Sequence, residues 1–97
     1  MQIFKGILLP EKSVHSAQYK LLISRLHDVR EKMGVSQRKM SAMLERPYTF
    51  MQKVESLERE INAVELMFCC DVLGIDFLTF LAEFKEELGR MNLDKRT

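Results

Sequence analysis

Between residues 16 and 88 apolar side chains never alternate with polar ones as a half-buried strand requires; they recur at steps of three and four, in short runs closed by punctuation residues. That pattern confines the chain to helices. The first spans about Ser16 to Met33, with Tyr19, Leu22, Leu26, Val29 and Met33 on one stripe, and stops at Gly34. A short helix follows from Ser36, a good N-cap residue, to about Leu44. Another runs from about Pro47, a residue suited to a first helical turn, to Ser56. Asn62-Ala63-Val64-Glu65 has the form of a capping box and starts a fourth helix carrying Leu66, Cys69, Cys70 and Leu73, which ends at Gly74. Asp76 caps a fifth with the stripe Phe77, Phe80, Leu81, Phe84 and Leu88, closed by Gly89. Five short helices with tight connections predict one compact all-α domain over 16–88. Residues 1–15 form a leader, apolar at Ile3, Phe4, Ile7, Leu8 and Leu9, and 89–97 a polar tail. The leader either packs on the domain or pairs with a second copy.

At 97 residues the chain fits one domain and leaves little room for a deep cleft. No run approaches the ~20 apolar residues of a membrane span, and Ile7-Leu8-Leu9 is too short for a secretory core, so a cytoplasmic protein is expected. The net charge of +1 conceals an asymmetry. Residues 1–53 carry ten Lys/Arg against four Asp/Glu, whereas 54–97 carry five against ten. A basic front half suits a polyanion, and clustering on solvated helix faces would give the same count. Adjacent Cys69 and Cys70 read as small apolar side chains on a helix. With His15 and His27 as the only further soft ligands they form no metal spacing. No orienting group, oxyanion donor or glycine-rich phosphate loop accompanies them, so the expectation is no catalytic residue, no cofactor, no metal and no small-molecule ligand.

The informative segment lies at about 36–55. Two short helices separated by three or four residues have the spacing of a helix-turn-helix, whose second helix can enter a major groove. On a wheel of that second helix Met51 and Val54, with Leu57 just beyond, face inward. Tyr48, Thr49, Gln52 and Lys53 face outward; each offers a hydrogen-bond donor and none is acidic. Arg38, Lys39 and Arg46 surround them as candidates for phosphate contact, and Gln37 can donate to the DNA backbone as well.

These residues resemble the Xre family of regulators, the Cro and phage-repressor type. The family pattern reads here as Arg30, Gly34, Ser36-Gln37, Met40-Ser41, Met51, Val54-Glu55 and Leu73-Gly74-Ile75, in register over roughly 18–78. Arg46 to Ser56 is similar to a subgroup reading Arg-Pro-Gln-Ser-Phe-Val-Ser-Lys-Tyr-Glu. The resemblance implies a five-helix repressor-like DNA-binding domain, usually dimeric, on a palindromic operator of double-stranded DNA. It puts DNA contacts at Gln37, Tyr48, Thr49, Gln52 and Lys53, and an internal ion pair at Arg30 and Glu55. Two positions depart from the family: Glu45 stands where the turn usually has Gly, and Leu57 where Gly usually follows the recognition helix. Either the turns are built differently, or the fold persists as an antitoxin-like or degenerate protein–protein module with DNA binding weakened. The Phe77, Phe80, Leu81, Phe84, Leu88 stripe reads as core packing or as a homodimer interface.

Overall fold

The computed structural model describes residues 16–91. The leader at 1–15, with His15, and the tail from 92 onward lie outside the described residues. Five helices follow in order: α1 (Ala17–Lys32), α2 (Gln37–Met43), α3 (Phe50–Glu55), α4 (Ala63–Leu73) and α5 (Phe77–Arg90). The fold is all-α, and among the described residues none is in a strand.

Local chemistry sets the starts. Ser16, Ser36, Asn62 and Asp76 each accept the N–H three residues on through a side-chain oxygen, and Asn62 and Glu65 close a full capping box. α3 is the exception. Its helix begins at Phe50 rather than Pro47, and Thr49, at the N-cap, makes no capping bond with its side chain. Pro47–Phe50 is instead a turn, closed by the Phe50 N–H on the Pro47 carbonyl at 2.9 Å.

Four helices end in one way. After each of α1 to α4 a residue takes positive φ, its N–H bonds back three residues, and the next N–H bonds back five. The four residues are Gly34 (φ 74°), Glu45 (57°), Leu57 (69°) and Gly74 (74°). Both family-departure positions therefore keep left-handed backbone without glycine, and the turns are not built differently. α5 runs on through Gly89 to Arg90, two residues past the expected end. Glycine adopts helical φ as readily as positive φ, so its presence alone does not stop a helix.

The core gathers Ile23 and Leu26 of α1, Met40 of α2, Phe50, Met51 and Val54 of α3, Ile61, Leu66, Cys69, Cys70 and Leu73 around α4, and Phe80 of α5. α2 packs on α3 more extensively than any other pair, α1 lies against α3 and α5, and α4 closes on α5 and α2. Met33, expected on the inward stripe of α1, is the C-cap residue and is exposed. No helix among the described residues is long and apolar enough to cross a membrane.

Candidate nucleic-acid interface

α3 has only six residues, too few to hold a helix unaided. Neighbours hold it at both ends. Near its start, buried Ser41 of α2 accepts the Met51 N–H at 3.0 Å and donates to the Gln37 carbonyl at 2.9 Å. One hydroxyl thus supplies the cap that Thr49 does not. Underneath, Met51 and Val54 are fully buried, as the wheel requires.

At its end, the Glu55 side chain is 6% exposed and its two oxygens take four hydrogen-bonding contacts. Arg30, 4% exposed, donates Nε to one oxygen at 2.6 Å and Nη2 to the other at 2.9 Å, while its Nη1 holds the Val35 carbonyl at 2.8 Å. Gln37 Nε2 and His27 Nδ1 each lie 2.8 Å from Glu55 Oε1. A carboxylate only accepts, so the Nδ1 of His27 carries the proton. The 3.2 Å approach of Arg30 to that nitrogen is then no hydrogen bond. Burial works to raise the Glu55 pKa, but the hydrogen bonds from Arg30, His27 and Gln37 outweigh it and hold the carboxyl below its ordinary value. The Arg30–Glu55 pair expected from the family pattern is present and ties α1 to the end of α3.

On the outer side Tyr48 is 63% exposed, Gln52 and Lys53 are exposed and Thr49 is half-buried. None of the four side chains hydrogen-bonds a described residue. The Arg38 guanidinium lies 4.7 Å from the Tyr48 ring centroid, a cation–π stack that leaves its N–H edges open. Lys39 is exposed on the same helix. None of these six side chains of the α2–α3 unit is acidic and three are cationic, while Glu45, in the turn between the two helices, is exposed as well.

Two expected contact residues are otherwise engaged. The Gln37 amide spends a donor on Glu55, because a buried carboxylate with spare lone pairs is the stronger attractor. Arg46 bonds Glu65 at 3.1 Å and lies 5.1 Å from the Phe50 ring, so it braces the turn against α4. Arg59, absent from the sequence reading, does the same from the other side, with two bonds to Glu65 and its guanidinium 4.8 Å from Phe50. Nothing periodic marks Arg59, and only the tertiary position of Phe50 gives it a role. On α5, Phe80 and Leu88 are buried within the chain itself, and Phe77, Leu81 and Phe84 are half-buried. Burial pushes the thiols of Cys69 and Cys70 up to about 12 and about 11, so both stay protonated and unreactive at neutral pH. Among the described residues no three His, Cys, Asp or Glu side chains converge as a metal site.

No family model and no curated protein matches the chain. Among solved structures, the XRE-family like protein from Pseudomonas syringae pv. tomato str. DC3000 is similar at 31% identity and a TM-score of 0.72. That likeness covers 77% of this chain and 92% of the other.

Proposed function

The chain belongs to the XRE family, and from that membership we propose that it is a sequence-specific transcriptional regulator, a repressor that acts as a homodimer on a palindromic operator in the cytoplasm. The observation that carries this reading is the outward set Tyr48, Gln52 and Lys53 above a fully buried Met51 and Val54. Polar side chains that hydrogen-bond no described residue, on α3 and the turn before it with the helix anchored beneath, have the form of a base-reading surface. Gln52 can pair with adenine, Lys53 can reach guanine or phosphate, and the Thr49 methyl can meet a thymine methyl. Arg38 and Lys39 serve the phosphates, with Gln37 and Arg46 contributing what their internal bonds leave free. Twofold pairing would set two α3 helices about 34 Å apart, one turn of B-DNA. Of the expected α5 stripe, Phe77, Leu81 and Phe84 keep some surface for that contact, and Leu78 beside them is exposed.

The test is selection from random duplex DNA followed by affinity measured against salt. A regulator of this kind enriches a palindrome, and log Kd shifts by about 0.9 per phosphate contacted for each decade of salt. The competing reading is a protein–protein module, and the exposed Glu45 carboxylate in the turn between α2 and α3 favours it. Negligible binding to random duplex at low salt would count heavily for that reading instead.

A further inference from the structure

α4 is apolar around most of its circumference. Leu66, Cys69, Cys70 and Leu73 face the core, while Val64, Phe68 and Val72 follow one another at four-residue steps on another face. Val64 and Phe68 are 57% and 49% exposed. Phe68 and Val72, with Met43 and Leu44 at the end of α2 and with Phe50, line a groove of about 410 Å³ that has Glu45, Arg46 and Glu65 at its polar margin. A helix apolar on nearly all sides is ordinarily a covered one.

We propose that the chain's own N-terminal segment, residues 1–12, covers this groove, with Ile3, Phe4, Ile7, Leu8 and Leu9 against Phe68 and its neighbours. The place where that segment joins the fold argues for it. Ser16 caps α1, and one turn on the Tyr19 hydroxyl accepts the Ile61 N–H at 3.1 Å, immediately before the α4 cap residue Asn62. The chain therefore enters the domain beside the head of α4, where the Val64–Phe68–Val72 stripe begins. That stripe is ~12 Å long at 1.5 Å per residue. The seven residues from Leu9 to Ser16 span up to ~23 Å extended, so Leu9 and everything before it can reach the whole stripe.

Composition and tethering agree. The first ten residues carry five large apolar side chains besides Met1 and a single charged one, Lys5. Exposed Glu45, at the margin of the groove, stands as a partner for it. A tether this short holds the segment at an effective concentration of order millimolar, above that of a second copy in a micromolar solution. The proposal does not depend on the DNA reading.

Isotope-filtered NMR on the full chain, with labelled and unlabelled copies mixed, tests it. Expected are Overhauser contacts within one chain between the Phe68 ring and the methyl groups of Ile7, Leu8 or Leu9. Phe68→Asp should move the segment's resonances to random-coil positions, and Ile7→Asp should shift the methyls of Val64, Val72 and Met43. Ile7→Asp should also raise fluorescence of a bound apolar dye at least threefold with helix content unchanged. Since Ile7 lies outside the five helices, that variant stays informative if Phe68→Asp does not fold. Random-coil positions for residues 3–9 in the unmodified chain would overturn the proposal, and so would contacts only between differently labelled copies, which would assign the groove to a second molecule.

Discussion

Replacing Glu45 by glycine should make the protein more stable, although the change removes a whole side chain. Glu45 sits at φ 57° in a motif that fixes its backbone through the Glu45 N–H on Ala42 and the Arg46 N–H on Ser41. An L-residue in the left-handed region is penalised by about 1–2 kcal/mol relative to its ordinary conformations. Glycine escapes that penalty but is freer in the unfolded chain, which returns about 0.5–1 kcal/mol. The balance is a gain of about 0.5–1 kcal/mol, or roughly 2–8 °C in Tm for a domain this size. Glu45→Ala is the control, because it deletes the same carboxylate and keeps the strain. Gly34→Ala and Gly74→Ala are the converse experiments. A Cβ at either glycine meets nothing within 4 Å, so each variant isolates the backbone term and should lose about 1 kcal/mol. Urea unfolding followed by far-ultraviolet circular dichroism reads all four. If Glu45→Gly is no more stable than Glu45→Ala while the two glycine variants lose stability, the strain argument fails at the turn.

Ser41→Ala should lose about 1–3 kcal/mol in the same unfolding assay, because the buried Met51 N–H is left without an acceptor. Glu55→Ala should lose about 3–5 kcal/mol, because a buried Arg30 charge is stranded. The folded Glu55 pKa lies below the unfolded value of about 4.3, so its contribution is complete above that pH. It fades as pH falls through the folded value, and in Glu55→Gln that part of the acid loss should be gone from stability measured between about pH 2 and 5. Lys53→Ala should weaken operator binding by about 1–3 kcal/mol if it meets a base. Arg38→Ala should weaken all duplexes alike and flatten the salt slope by about one, as titrations at several salt concentrations would show.

Most of the helical frame was legible because its signals are local. Cap residues and 3.6-residue periodicity act within one or two turns, so Ser16, Ser36, Asn62 and Asp76 and the inward residues of α4 could be read directly. α3 was harder. Its inward and outward faces were readable from Met51 and Val54, but its start was not, since the cap comes from Ser41, ten positions earlier. The engagement of Gln37 by Glu55 and the two guanidiniums on Phe50 are likewise tertiary, fixed by packing and invisible to spacing. The α5 stripe was ambiguous for a related reason: an apolar face reads the same whether its own core or another subunit covers it, and burial assigned Phe80 and Leu88 to the core.

These anchors separate two kinds of defect that a binding assay alone would merge. A six-residue helix takes its position from its attachments: Ser41 at the start, Glu55 at the end, and left-handed turns on either side at Glu45 and Leu57. The outward side chains of Gln52 and Lys53 take no part in that attachment. Substituting them should alter affinity for DNA with the unfolding transition within about 0.5 kcal/mol of its original place, as for other surface positions. Substituting Glu55 or Ser41 should move both, because tilting α3 by a fraction of an ångström misplaces every reading group together. Measured side by side, Lys53→Ala and Ser41→Ala therefore distinguish a residue that touches DNA from one that aims the helix. Equal loss of stability in the two variants would mean that Lys53 belongs to the scaffold, and that the outward face has been drawn on the wrong side of α3.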